Sequence, residues 1–193
     1  RLEIIFHMQM TDEQLSLVRN TAECLYSTAQ VEEALEAMAQ TISARLAQAN
    51  PILLCVMNGG LIPMGKLLTR LDFRLQADYL HATRYRDQTS GGELSWKARP
   101  HIEIKDRTLL IVDDILDEGL TLQEIVNYCT TAGAHEVLTA VLVEKLHQRK
   151  YGLKKADFVG LQVPDRYVFG YGMDYKGFLR NAPGIFAVKQ EYI

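Results

Sequence analysis

Three acidic residues lie close together where an apolar stretch of the chain ends. Residues 108–112 read Thr-Leu-Leu-Ile-Val, a short apolar run that predicts a strand buried in a sheet. Asp113 and Asp114 follow this run directly, and Asp117 comes three residues later. The carboxyl end of a strand is where open α/β sheets bind ligands. Carboxylates there can accept hydrogen bonds from two ribose hydroxyls, and they can also reach a hard metal ion through water.

The residues after Asp117 have the composition of a phosphate-binding turn. Gly119 permits a tight turn and a close approach of the backbone to a ligand. Backbone N–H groups at the start of the following helix point outward and suit a phosphate. Thr121 adds a hydroxyl donor. The predicted phosphate site is therefore formed by Glu118, Gly119, Leu120 and Thr121.

Alternating helices and strands are predicted around this turn. Thr11 and Gln14 have the spacing of a helix capping box, and apolar residues recur every three or four positions from 31 to 46. Further helices are predicted at 61–71 and 119–131, and strands at 52–57, 76–82, 108–112, 137–143, 158–163 and 167–169. Strands that alternate with helices imply right-handed crossovers and a parallel sheet. The predicted fold class is α/β, doubly wound, with the N- and C-terminal pieces forming a smaller cap.

Residues 84–100 differ from the segments around them. They are polar, and they contain Gly91-Gly92 and the single tryptophan, Trp96. This composition predicts a long mobile loop, and loops of that length inside a domain are usually functional or disordered.

The bulk composition limits the classes of function. The 193 residues fit one domain, and 48% hydrophobic with 23% charged residues is ordinary for a globular protein. A net charge of −3 argues against a general binder of nucleic acids or anionic membranes, so any phosphate site must be local. No apolar run approaches the roughly 18 residues of a membrane span, and residues 1–7 lack the pattern of a secretory signal. We therefore expect a cytoplasmic protein in which residues 1–7 are an expression remnant.

The cysteines indicate a reducing compartment. Cys24, Cys55 and Cys129 are far apart, lie in apolar stretches and form no CxxC pair. We predict that all three are small buried core residues rather than disulfide partners or metal ligands.

Two stretches of the chain resemble a known family. The run of apolar residues, Asp113, Asp114, Asp117, Gly119 and Thr121 resembles the phosphoribosyl pyrophosphate signature of type I phosphoribosyltransferases. The family usually has Thr or Ser where this chain has Glu118, so one phosphate hydroxyl is replaced by a negative side chain. Residues 157–180 look like the C-terminal stretch of hypoxanthine-guanine phosphoribosyltransferases, and the whole resemblance covers roughly residues 52–188.

The resemblance implies a fold and a domain organisation. It implies the type I phosphoribosyltransferase fold, in which helices flank a central, mainly parallel sheet and the N- and C-terminal segments form a small hood. Residues 1–193 would form a single domain, with the core at about 50–165 and the hood at about 8–49 and 166–193.

The resemblance also implies how the purine would be bound. Asp117 would take the proton from the purine nitrogen N7. Lys145 would donate to the exocyclic oxygen, because an ammonium group has donors only and offers no acceptor to the amino group of adenine. Tyr167 would stack on the purine ring, and Val168 would offer its backbone carbonyl to the exocyclic amino group of guanine.

The same resemblance assigns the ribose and pyrophosphate contacts. Asp113 and Asp114 would hold the ribose and reach Mg²⁺, Asp174 would hold Mg²⁺ on the pyrophosphate, and Arg180 would bind the leaving pyrophosphate. Asn58, Gly59 and Gly60 match the pyrophosphate loop of the family, in which the peptide before the Asn58 position is often cis. Many members carry Lys at the Asn58 position. Residues 83–92 look like the flexible catalytic loop.

The implied activity is a step of purine salvage. The phosphoribosyl group of phosphoribosyl pyrophosphate would pass to hypoxanthine or guanine with Mg²⁺ as cofactor, giving IMP or GMP and pyrophosphate, in a homodimer or homotetramer. One alternative is a regulator of this fold that senses nucleotides and binds RNA, although the acidic balance weighs against it. A second alternative is a sister enzyme that prefers xanthine, since Lys145 and Val168 argue only against adenine and uracil.

Overall fold

The computed structural model describes residues 10–84 and 94–193. Its helices are α1 (Asp12–Thr21), α2 (Thr28–Leu46), α3 (Leu61–Leu68) and α4 (Leu120–Thr131), and a short 3₁₀ helix spans Gln190–Tyr192. Its strands are β1 (Glu23–Ser27), β2 (Ile52–Val56), β3 (Gln76–Arg84), β4 (Leu94–Ala98), β5 (Thr108–Leu116), β6 (Glu136–Leu146), β7 (Phe158–Pro164), β8 (Val168–Phe169) and β9 (Gly184–Ala187).

The main sheet has six strands in the order β4-β3-β2-β5-β6-β7. All neighbouring strands run parallel except β3 and β4, which pair antiparallel. The α/β prediction is therefore confirmed. Because β2, β5 and β6 are parallel neighbours, their carboxyl ends meet at one edge of the sheet, where the acids of β5 lie.

Helices cover both faces of this sheet, which explains why β2 and β5 are apolar at nearly every position. On β5, Leu110 and Val112 pack in one cluster with residues of α2 and α3. Leu109 and Ile111 face the other way, into a cluster with residues of α4. Successive side chains of a strand point to opposite faces, so a strand covered on both faces shows no alternation.

A second sheet of three antiparallel strands, in the order β1-β9-β8, joins the two ends of the described chain. Its own cluster contains Val18, Phe169 and Tyr175, which form the interior of the hood. Helix α2 packs against α3 and β7 of the main core and also against β1 and β9, so the expected division into a core at about 50–165 and a hood at about 8–49 and 166–193 stays a prediction.

Two expectations are corrected. Residues 94–98, expected within the mobile loop 84–100, form β4, and the ring of Trp96 lies 4.5 Å from that of Tyr128. Of the predicted catalytic loop, residues 83–84 belong to β3, and residues 85–92 lie outside the described residues. Cys24 is exposed on β1, whereas Cys55 and Cys129 are buried as predicted.

The capping box of Thr11 and Gln14 is present at the start of α1. Within residues 10–84 and 94–193, no helix is both long enough and apolar enough to cross a membrane.

Candidate active site

Asp113 and Asp114 lie within β5, which continues to Leu116 instead of ending at Val112 as predicted. The backbone N–H of Asp114 donates to Oδ1 of Asp113 at 2.9 Å. Burial raises the pKa of Asp113, and the charge of Asp114 raises it further. Burial also raises the pKa of Asp114, against the hydrogen bond with Asp113 and the charge of Arg180. Two neighbouring carboxyls in such a setting favour a positive charge brought close to them.

The loop of Asn58, Gly59 and Gly60 lies directly beside Asp114. The Met57–Asn58 peptide is cis, as the family resemblance implied, and the Asn58 side chain is exposed. A β-carbon on Gly59 would lie 2.1 Å from Oδ2 of Asp114. One on Gly60 would lie 2.5 Å from the carbonyl oxygen of Val112. Only glycine therefore lets this loop approach β5 so closely.

Residues 172–180 of the C-terminal segment also lie beside Asp114. Arg180 Nη2 lies 2.8 Å from Oδ1 of Asp174, and Arg180 Nη1 lies 3.9 Å from Oδ2 of Asp114. Arg180 Nη1 also donates to the carbonyl oxygen of Gly172 at 2.6 Å. The structure thus brings Asp114, Asp174, Arg180 and the glycine loop together, and their assigned roles stay predictions. Gly172, which the sequence reasoning missed, also lies against that loop, since a β-carbon on it would lie 2.1 Å from the carbonyl oxygen of Gly59.

The donor atoms of this cluster fit a magnesium ion that arrives with its substrate. Carboxylate oxygens are the ligands Mg²⁺ prefers, and in phosphate sites one or two of them act together with substrate phosphates. Across residues 10–84 and 94–193, no group of three or more His, Cys, Asp or Glu side chains is placed to hold a metal alone. Asp174 and Asp114 share Arg180, so both carboxylates already face a positive charge.

Asp117 is held by two donors from the end of β6. Lys145 Nζ donates to Oδ2 of Asp117 at 2.6 Å, and His147 Nε2 lies 2.6 Å from Oδ1. Burial alone would raise the pKa of Asp117, but these bonds hold it below its ordinary value. The prediction that Lys145 belongs to one site with Asp117 is consistent with this geometry.

His147 was missed by the sequence reasoning. Its side chain is 5% exposed, which sets it apart from a solvated surface histidine. The signal that could have found it is spacing, because residues two apart at the end of a strand point to the same side. Lys145 and His147 are two apart, so both side chains face Asp117.

The phosphate turn leads into α4 as predicted. Gly119, with a φ of 77°, is the residue before the helix, and Leu120 and Thr121 form its first turn. A β-carbon on Gly119 would lie 2.2 Å from the carbonyl oxygen of Leu153. The backbone N–H of Gly152 donates to the carbonyl of Glu118 at 3.0 Å, while the Glu118 side chain is exposed. Residues 152–153 therefore brace the turn from outside.

Tyr167 and Val168 lie in the hood. The Tyr167 ring is half-buried and edge-on to Tyr175, with centroids 5.5 Å apart. Val168 is buried in β8 and pairs with Ala187. In the described part of the chain, no hydrogen bond or ion pair joins these two residues to Asp117, so their purine contacts remain predictions.

Comparisons with known proteins agree with this geometry. Residues 22–176 match the family model for the phosphoribosyl transferase domain. The hypoxanthine-guanine phosphoribosyltransferase of Bacillus subtilis strain 168 is 31% identical over 166 residues, covering 86% of this chain and 92% of that protein. The hypoxanthine-guanine-xanthine phosphoribosyltransferase of Tritrichomonas foetus is 29% identical over 166 residues, covering 86% and 91% of the two chains.

Solved structures of phosphoribosyltransferases are also similar to this chain. A hypoxanthine phosphoribosyltransferase from Staphylococcus aureus, 25% identical, superimposes with a TM-score of 0.84 over 91% of this chain and 96% of that one. The sheet, the hood and the acids at the end of β5 also fit the type I fold that the sequence motif indicated. The chain therefore belongs to the phosphoribosyl transferase domain family.

Proposed function

We propose that this protein transfers the 5-phosphoribosyl group of phosphoribosyl pyrophosphate to hypoxanthine or guanine, giving IMP or GMP and pyrophosphate in purine salvage. The observation that carries the proposal is the pairing of Lys145 with Asp117 at 2.6 Å, beside the acids of β5. A donor for a purine oxygen and an acceptor for a purine N–H are thereby placed next to each other. The names of the relatives from Bacillus subtilis and Staphylococcus aureus support the same activity.

The ribose and the leaving group occupy the cluster around Asp114 in this proposal. Asp113 and Asp114 accept hydrogen bonds from the ribose hydroxyls and stabilise the positive charge that develops on the ribose ring. Arg180 and the backbone of Gly59 and Gly60 bind the pyrophosphate. Asp174, with Asp113 and Asp114, would hold Mg²⁺, which would supply positive charge to the pyrophosphate when bound.

The 5′-phosphate binds the turn from Glu118 to Thr121. Backbone N–H groups at the start of α4 serve as donors, and the Thr121 hydroxyl adds another. The Glu118 side chain is exposed, so water and salt screen its charge.

The purine is selected by its exocyclic oxygen. Lys145 donates to that oxygen, and it has no acceptor for the amino group at the same position of adenine. Tyr167 stacks on the ring, and the backbone carbonyl of Val168 accepts from the amino group of guanine. The relative from Tritrichomonas foetus is named for xanthine as well, so xanthine is a second candidate base.

In this proposal, Lys145 moves from Asp117 to the purine oxygen as the proton is transferred. Both oxygens of Asp117 are occupied in the structure, Oδ2 by Lys145 and Oδ1 by His147. When Lys145 moves to the purine oxygen, Oδ2 loses its positively charged partner, and a lone pair of Oδ2 accepts the N7 proton. The purine lone pair on N9 forms the bond to C1′, and the bonding pair of the C1′–O bond leaves with the pyrophosphate.

The remaining expectations follow from this activity. The partners are small molecules, phosphoribosyl pyrophosphate and a 6-oxopurine, rather than nucleic acid or membrane. We further propose that the protein acts in the cytoplasm as a homodimer or homotetramer. Sedimentation analysis of the purified chain tests the assembly.

The test of the activity is nucleotide formation with hypoxanthine, guanine, xanthine and adenine in parallel, with Mg²⁺ and with a chelator. We expect product from hypoxanthine or guanine, lost with the chelator, and little from adenine. Lys145→Gln has an amide that both donates and accepts, so it should narrow the preference for 6-oxopurines over adenine. No product with any base, despite binding of phosphoribosyl pyrophosphate, would favour the nucleotide-sensing alternative.

A further inference from the structure

We infer that His147 is a positioning residue for the transfer reaction, holding the Asp117 carboxylate in place after Lys145 leaves it for the purine. The inference rests on the proposed function and adds a residue to it.

The hydrogen bonds of His147 determine which ring nitrogen carries the proton. Nδ1 lies 3.0 Å from the backbone nitrogen of Arg149, which can only donate, so Nδ1 is an acceptor. A neutral imidazole then carries its proton on Nε2. That nitrogen lies 2.6 Å from Oδ1 of Asp117, so it donates to the carboxylate. A backbone group thus sets His147 as a donor to Asp117, whatever side chain stands at position 149.

The two donors to Asp117 have different freedom to move. Lys145 has a flexible stem that can carry its ammonium from Oδ2 to the purine oxygen. His147 has a rigid ring, it is 5% exposed, and it is fixed on its other side by the backbone. The bond to Oδ1 therefore persists when the bond to Oδ2 is given up.

The remaining bond has a consequence for catalysis. The Asp117 side chain is 41% exposed, so without a fixed partner it could turn toward water when Lys145 moves. With Oδ1 held by His147, the lone pairs of Oδ2 keep one direction. A general base must lie within hydrogen-bond reach of the proton it takes, and a misplacement of about 1 Å can cost roughly 10²-fold in rate.

The proton transfer takes place between the purine and Asp117. The N7–H bonding pair stays with the purine, and the proton moves to Oδ2 of Asp117. His147 donates to Oδ1 before and after the transfer. It therefore acts through Asp117 and does not itself touch the purine.

The experiment compares His147→Leu, which removes the donor, with His147→Gln, whose side-chain amide keeps one. We expect His147→Leu to lower kcat with hypoxanthine by about 10-fold or more, with little change in the KM for phosphoribosyl pyrophosphate. His147→Gln should recover most of that loss. His135→Leu is the matched control, because His135 is exposed and precedes β6 at the opposite end of the sheet.

Different outcomes would refute the role of His147 and the proposed function. If the unchanged protein forms nucleotide and His147→Leu has the same kcat, His147 does not position Asp117. The same conclusion follows if His147→Gln is as slow as His147→Leu while both keep the unfolding temperature of the unchanged protein. If His147→Leu does not fold, His147→Gln alone decides, and a kcat more than about 10-fold low overturns the inference. Absence of nucleotide from the unchanged protein would instead refute the proposed function.

Discussion

The phenol of Tyr171 donates a 2.7 Å hydrogen bond to Oε1 of Glu32, which lies in α2 139 positions earlier in the chain. Glu32 also pairs with Lys66 at 2.7 Å and with Arg70 at 2.5 Å, at the end of α3. Tyr171 precedes Gly172, the contact of the C-terminal segment with the glycine loop. Two core helices thereby hold the segment that carries the predicted pyrophosphate ligands.

Replacing Glu32 should make the stability of the folded protein depend less steeply on pH in the acid range. The hydrogen bond from Lys66, with those from Tyr171 and Arg70, lowers the pKa of Glu32 from 4.5 to about 2 in the folded protein. A lowered folded-state pKa contributes stability above pH 4.5, and this stability is lost as the pH falls toward 2. Glu32→Gln, which still accepts from Tyr171, should unfold at a lower temperature than the unchanged protein at pH 7.

The measurement is the unfolding temperature of both proteins between pH 7 and pH 3. In a chain of this size, each 1 kcal/mol corresponds to about 2–4 °C. The gap between the two proteins should be constant above pH 5 and should narrow below pH 4.5, where Glu32 begins to take up its proton in the unfolded state. A gap that is independent of pH would show that the charge of Glu32 is not what stabilises this contact.

Gly172→Ala should damage both stability and turnover. A β-carbon there would lie 2.1 Å from the carbonyl oxygen of Gly59, and the φ of 111° already disfavours a side chain. Gly177→Ala is the matched control, since its φ is 89° but no atom lies within 4 Å of the added carbon. We expect Gly177→Ala to lose about 1–2 kcal/mol, the cost of a left-handed backbone.

Thermal unfolding and nucleotide formation measured on both glycine variants separate the two effects. Gly172→Ala should unfold at a lower temperature than Gly177→Ala and should lose most of its turnover. Equal behaviour of the two variants would mean that contact with the glycine loop is unimportant.

One cysteine should react with a maleimide in the folded protein. Cys24 is exposed, whereas Cys55 and Cys129 are buried. Burial raises the pKa of Cys55 to about 12, helped by the charges of Asp113 and Asp114, and burial raises the pKa of Cys129 to about 11. Mass spectrometry should find one label at pH 7.5 and three in denaturant. Fast labelling of Cys55 in the folded state would contradict the packing of β2.

Asp117→Asn should lose turnover by about 10²- to 10⁴-fold while it retains nucleotide binding. An amide has one oxygen, so it can accept from Lys145 or from His147 but presents donors to the other. It also cannot take the N7 proton. Steady-state rates and calorimetric binding of IMP check both parts. Full turnover would remove the assignment of Asp117 as the base.

The elements buried on two faces were predictable from the sequence, and the reason is physical. The apolar runs of β2 and β5 are long enough to predict buried strands. Acids that directly follow such a run are uncommon, so those after Val112 predict a site. The ends of β5 and β6 were placed too early because Asp113 and Glu144 are polar. Asp113 nevertheless pairs with Val141 in the parallel ladder, because backbone hydrogen bonds do not depend on the side chain.

The hood was harder to predict in detail. Strands β1 and β9 are short, and they pair with each other although they lie near opposite ends of the sequence. No local pattern in the sequence therefore predicts either strand. The contacts of Gly172 with Gly59 and of Tyr171 with Glu32 join distant positions in the same way. His147 alone had a local signal, its spacing from Lys145.

The most direct test of the account is the stoichiometry of the reaction with hypoxanthine. The purified protein would be incubated with phosphoribosyl pyrophosphate, Mg²⁺ and hypoxanthine, and IMP and pyrophosphate would be quantified together by chromatography. Equal amounts of the two products, both formed only when hypoxanthine is present, are predicted. Pyrophosphate released without IMP, or no product at all, would contradict transfer to a 6-oxopurine.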